Sequence, residues 1–214
     1  MRTVVCLKWG TKYGPEYVNR LHNMVRRHTT SPVRFVCVTE DSSGLNLAVE
    51  VVDLPDLDLE GWWNKLYLFS GEPVQGPCLY LDLDVVIHDN IDILVNLGAE
   101  ARFVGCRDFL QPTLFFNSSV MRFNPDYHSK VWTSLDRERT LRLRTDQDHI
   151  TNVLKDDINT TRFPDEWIWS YKWGPDRSKR TKLASPPHHA KICVFHGKPN
   201  PDQVNDAWVK EHWQ

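Results

Sequence analysis

Cys78-Leu79-Tyr80-Leu81-Asp82-Leu83-Asp84-Val85-Val86-Ile87 is the stretch whose reading decides the fold of this chain. Apolar residues run into two carboxylates, and a second apolar run follows at once. A strand sends residues i and i+2 to the same side, so a buried strand that ends this way brings both acids to one point. Two like charges held there repel unless a cation lies between them. A divalent metal is the simplest such cation. Open α/β sheets bind their ligands beyond the carboxyl ends of strands, which is where Asp82 and Asp84 fall.

Outward from this stretch, short apolar strands alternate with helical patterns, the signature of a layered α/β sheet. Thr3 to Leu7, Val33 to Thr39 and Ala48 to Leu54 read as strands upstream. Pro15 to His28 places Tyr17, Leu21, Met24, Val25 and His28 at helical spacing, with Pro15 suited to a first turn. Trp62 to Ser70 reads as a short helix stopped by Gly71 and Pro73. Downstream, Arg102 to Cys106, Phe115 to Phe123 and Lys191 to Phe195 read as strands, and Tyr127 to Arg139 and Asp146 to Lys155 as helices. The acids that open the second helix suit the positive end of its dipole.

The 214 residues suit one domain, or one domain with two unequal halves. Lys and Arg number 26 against 28 Asp and Glu, a net charge of -2 that argues against a nucleic-acid partner. Arg177, Lys179, Arg180 and Lys182 therefore read as a solvated loop. No apolar stretch is long enough for a transmembrane segment. Cys6, Cys37, Cys78, Cys106 and Cys193 include no CxxC pair, and most lie in apolar strand-like runs, so buried reduced thiols and a cytoplasmic setting are expected.

His196-Gly197-Lys198-Pro199 follows another apolar strand, so His196 also stands at a strand end. Beside two carboxylates an imidazole favours Mn²⁺ over Mg²⁺, because it is the softer ligand. Gly197 allows close backbone approach to a phosphate, and Lys198 offers it a positive charge. The bland alternative is a turn after an edge strand.

These residues resemble a family: the nucleotide-sugar glycosyltransferases of the GT-A fold, in the retaining branch that includes glycogenin and bacterial galactosyltransferases. The resemblance rests on Tyr13, Asn64-Lys65-Leu66, Leu79 to Asp84, Phe116-Asn117-Ser118-Ser119-Val120-Met121, Thr145-Asp146-Gln147-Asp148 and His196 to Pro199, which recur in the same order. It implies an α/β fold with a Rossmann-like mixed sheet flanked by helices, in one domain over residues 1–214 with a nucleotide-binding half over about 1–110 and an acceptor-side half over about 111–214. It also implies transfer of a sugar from a nucleotide-sugar donor, with a UDP-sugar favoured, to a hydroxyl of a glycan, lipid-linked or protein acceptor, with retention. Asp82, Asp84 and His196 would hold Mn²⁺ or Mg²⁺. Tyr13 would stack on the nucleobase, Lys65 would lie near the diphosphate and sugar, and Gly197 and Lys198 would meet the phosphates. Asn117, Asp146 and Gln147 would border the donor sugar, with Asp146, Gln147 and Lys65 the catalytic candidates.

Each residue also has a plainer role open to it. Tyr13 can pack on the following helix, Lys65 can be solvated, and Asp146 can cap its helix. Asp148 reads as an exposed first-turn acid. Trp167, Trp169 and Trp173 read either as an acceptor platform or as packing of a small C-terminal lobe. Asp82-Leu83-Asp84-Val85-Val86 also fits the pattern of haloacid-dehalogenase-like phosphatases, with Asp82 as nucleophile and Asp156-Asp157 as a later acidic pair. A non-catalytic nucleotide-sugar-binding module is the third reading.

Overall fold

The computed structural model describes residues 2–97, 102–110, 116–140, 142–174 and 183–214. The chain opens with β1 (Arg2–Lys8), α1 (Pro15–Arg27), β2 (Val33–Thr39) and β3 (Glu50–Asp53). A 3₁₀ helix, Gly61–Ser70, leads to β4 (Cys78–Leu81), β5 (Val85–Ile87) and α2 (Asp92–Asn96). Next come β6 (Phe103–Arg107), β7 (Phe116–Phe123), α3 (Pro125–His128), α4 (Lys130–Thr133), α5 (Arg137–Thr140) and α6 (Asp146–Leu154). Finally β8 (Thr160–Arg162), β9 (Ile168–Ser170), β10 (Ile192–Val194) and α7 (Ala207–His212) complete the chain.

Seven strands form a mixed sheet in the order β3-β2-β1-β4-β7-β6-β8. β1 runs parallel to β2 and β4, β2 to β3, and β6 to β8, while β7 is antiparallel to both β4 and β6. β1 reads as one apolar run because both of its faces are covered. Val4 and Cys6 join the core that includes α1 and the small second sheet, whereas Val5 and Leu7 join the core beneath the 3₁₀ helix. The second sheet has the order β5-β10-β9.

The topology fixes where chemistry can sit. β7 runs against its neighbours, so its first residues lie at the edge where β1, β4 and β6 finish. The Asp82 backbone N–H donates to Ser119 O at 2.8 Å, and the Phe195 N–H donates to Asp84 O at 3.1 Å. The two acids therefore occupy the turn by which the chain passes from the large sheet to the small one, rather than the end of one continuous strand.

Two further expectations need correction. Tyr127 to Arg139 is not one helix but the last part of α3, then α4 and part of α5. Ser129 joins the first two, and Ser134-Leu135-Asp136 separates α4 from α5; Ser and Asp bond locally and interrupt helices. Asp146 is not the cap of α6, because Thr145 holds that position with extended backbone. The five cysteines are buried and free, as expected. Arg177, Lys179, Arg180 and Lys182 lie outside the described residues.

Candidate active site

Lys65 is the centre of the site. The 3₁₀ helix that carries it, Gly-Trp-Trp-Asn-Lys-Leu-Tyr-Leu-Phe-Ser, is buried from Trp63 to Phe69 and ends at Gly71, whose φ of +84° favours glycine. Burial of this segment drives the Lys65 side chain inward, leaving the residue 5% exposed. Its Nζ lies 3.0 Å from Asp82 Oδ1 and 3.3 Å from Asp146 Oδ2. It also donates to Ser118 Oγ at 3.0 Å and to Ser118 O at 3.3 Å. Burial alone would pull its pKa down, but Asp146 and Asp82 outweigh that and raise it. Lys65 is thus a buried cation held between two acids, not a solvated helix residue.

Tyr80, on β4, donates to Asp82 Oδ1 at 2.5 Å. Asp84 is 6% exposed and accepts from the Tyr13 hydroxyl at 2.9 Å. Its pKa is pushed up to about 6 by burial first and by the neighbouring Asp82 charge second, with the Tyr13 bond pulling the other way. The Tyr13 ring packs on Tyr17 of α1 at 4.6 Å, and Lys12 Nζ lies 4.6 Å from its centroid. Tyr13 therefore has the packing role open to it from sequence and a direct hold on the second acid. Asn117, 8% exposed on β7, accepts from the Ser119 N–H at 3.0 Å, where the register of β7 against β6 shifts and Ser118 meets Lys65.

A second group forms one residue further along α6. Gln147 Nε2 donates to Asp108 Oδ2 at 2.9 Å. Half-buried His196 shares a 2.6 Å hydrogen bond between Nε2 and Ser170 Oγ, and its ring stacks on Phe109 at 5.2 Å. Burial first, then Lys172, pulls the His196 pKa down to about 4 against the opposing charge of Asp108, so the imidazole is neutral near pH 7. Gly197 has φ +73°, a left-handed conformation suited to glycine, and Lys198 is exposed at the rim. α6 thus delivers Asp146 to the Lys65 group and Gln147 to the Asp108 and His196 group.

The structure brings Lys65, Asp82, Asp84, Asp146 and Tyr13 into one network. His196 is turned to Ser170. Among the described residues, no three His, Cys, Asp or Glu side chains are grouped closely enough to hold a metal ion. The donor set still suits a hard divalent cation, because Mg²⁺ is commonly held by one or two carboxylates plus substrate phosphates. Three carboxylates, Asp82, Asp84 and Asp146, outnumber the Lys65 ammonium and the Lys12 charge that acts on Asp84, which leaves the site with a net negative charge.

Ser118, Tyr80, Asp108 and Ser170 were not assigned roles from sequence. Asp108 carried a signal of the Asp82 kind, an acid just past a strand rich in apolar residues. The others had none: the partners of Ser118 and Ser170 lie 26 or more residues away, and that of Tyr80 lies in the turn just past β4. Asp148 is a correction: it is 6% exposed and accepts from the Arg144 backbone N–H at 3.2 Å, so it is not an inert surface acid. Trp169 is 1% exposed in the core, donates to His88 at 3.1 Å and packs on Trp208; Trp167 and Trp173 pack partly buried against that core. The packing account of this cluster holds.

No family model and no curated protein matches the sequence. Solved structures do. An active-site glutamine-to-glutamate mutant of LgtC superposes with a TM-score of 0.68 at 16% identity, covering 98% of this chain and 94% of LgtC. Galactosyltransferase LgtC in complex with donor and acceptor sugar analogues gives 0.66 at 13% identity, covering 99% and 96%. The glycosyltransferase GlyE of Streptococcus pneumoniae TIGR4 gives 0.67 at 14% identity, where this chain spans 56% of the larger protein. The chain has the GT-A glycosyltransferase fold.

Proposed function

We propose that the protein is a glycosyltransferase that moves a sugar from a nucleotide-sugar donor, with UDP favoured, to a hydroxyl of a glycan, lipid-linked or protein acceptor, with retention. The observation that carries this reading is the excess of carboxylates over cations around Lys65 at the carboxyl edge of the sheet. Such a site attracts a divalent cation and, through it, a diphosphate. Asp82 and Asp84 would hold Mn²⁺ or Mg²⁺, and His196 would join them by exchanging its Ser170 bond. When bound, the ion supplies Lewis-acid stabilisation of the charge that grows on the departing diphosphate.

The chain's own residues do the positioning. Lys65 holds Asp82 and Asp146 in a fixed relation, and the Tyr13 hydroxyl holds Asp84. Asp146 is ion-paired, which weakens it as a nucleophile and favours front-face attack. Gln147 commits its Nε2 to Asp108, which leaves its carbonyl dipole for a cationic reacting centre. An active-site glutamine in LgtC supports a role for Gln147. Gly197 and Lys198 border the phosphates from the rim.

The phosphatase reading gains nothing from the fold. Asp82 follows the fourth strand rather than the first, and Asp157 is engaged by Lys130 at 2.7 Å in the turn after α6. Incubation with Mn²⁺ and a panel of UDP-, GDP- and CDP-sugars tests the proposal by nucleotide release. Release that is lost in chelator and in Asp84→Ala bears it out. Inorganic phosphate released from a phosphate ester, with every nucleotide sugar untouched, overturns it; donor binding with no turnover leaves a binding module.

A further inference from the structure

A cleft of about 820 Å³ is lined by Asp58, Glu60, Trp63, Arg137, Glu138 and Arg142. We propose that this cleft is the acceptor site and that its ligand is an uncharged oligosaccharide, an inference that rests on the glycosyltransferase reading above.

The local backbone explains how the cleft arises. Leu57, Leu59 and Gly61 line a separate cavity with Trp9 and Asn64, whereas Asp58 and Glu60 line this one. Residues 57–61 thus line the two cavities by turns, and the segment is a wall between them. Asp58 sits at φ +51°, which few residues other than glycine adopt. Arg137 holds the wall there, donating to Asp58 Oδ2 at 2.6 Å, to Asp58 O at 2.7 Å and also to Leu57 O. The opening is formed before any ligand arrives.

Three observations point to a neutral sugar. The volume lies within the roughly 300–1,000 Å³ of small-molecule sites. The lining pairs an indole with acids and guanidinium groups, so apolar C–H faces and hydroxyl donors and acceptors all find partners. Three carboxylates against two guanidinium groups disfavour a phosphorylated or uronate-bearing ligand. Position links the cleft to the chemistry: Trp63 shares its helix with Lys65, and Arg142 lies four residues before Asp146.

Saturation-transfer NMR with lactose, maltotriose and a heparin disaccharide, without donor or metal, tests the assignment. At least one neutral probe binds, and the exposed double variant Glu138→Ala/Arg142→Ala weakens it tenfold or more. Arg34→Ala, at the start of β2, leaves binding unchanged. Absence of binding by both neutral probes, survival of binding in the double variant, or tighter binding of the heparin disaccharide overturns the proposal. Because no donor is present, the result is independent of turnover, and nucleotide release by the same protein decides the transferase reading separately.

Discussion

Replacing Lys65 with Met removes a cation that touches two acids and leaves its packing volume nearly intact. The ammonium contacts Asp82 at 3.0 Å and Asp146 at 3.3 Å, with Ser118 as a third partner. Breaking a buried ion pair by deleting one partner costs about 3–5 kcal/mol, because a charge is left uncompensated. The Asp82 side chain is 24% exposed and recovers some hydration, whereas that of Asp146 is 5% exposed and does not. The lower end, about 3 kcal/mol, is therefore expected. For a domain of this size that corresponds to a fall in Tm of roughly 6–12 °C. Urea unfolding in chelator measures it as a lower midpoint at unchanged slope. Adding Asp146→Asn to Lys65→Met removes the orphaned charge and should restore at least about 1 kcal/mol. A single-variant loss below 1 kcal/mol, or a double variant less stable than the single, would refute the reasoning.

Asp84 protonates more readily in the fold than in the unfolded chain, so its ionisation lowers stability as pH rises from about 4 through about 6. In chelator, Asp84→Asn should therefore be more stable than the parent at pH 8, by on the order of 2 kcal/mol, and lose that advantage near pH 4, as read from Tm against pH. Gly197→Ala should cost about 1–2 kcal/mol in urea unfolding, since a left-handed φ is imposed on a Cβ that also meets Lys172 Nζ at 3.2 Å. Asp148→Ala should lower stability by about 1–2 kcal/mol, because the Arg144 N–H loses its acceptor; an unchanged urea midpoint would restore Asp148 to the surface.

Long, locally specified elements were legible in the residues. β1 and β2 announce themselves as apolar runs covered on both faces, and α1 by the spacing of Tyr17, Leu21, Met24 and Val25. β8 and β9 did not, because three residues carry no periodicity and their partners, β6 and β10, are distant in sequence. α2 and α7, of five and six residues, fail for the same reason. At the site, residue types were readable but pairings were not. Asp82 stood out as an acid closing an apolar run, Lys65 as a cation beside Trp62, Trp63 and Leu66, and Asp146 as an acid opening a helix, yet only folding could show that one ammonium serves both acids. His196 was legible as a strand-end imidazole; that Ser170 would hold it was not, since β9 itself went unread.

Asp82 donates its backbone N–H to the large sheet, and Asp84 accepts through its carbonyl from the small one. The spacing between the two acids is consequently a gauge of how the sheets sit against each other. Substitutions deep in the apolar layer around β5, β9 and β10 would then register as altered cation affinity before they register as unfolding.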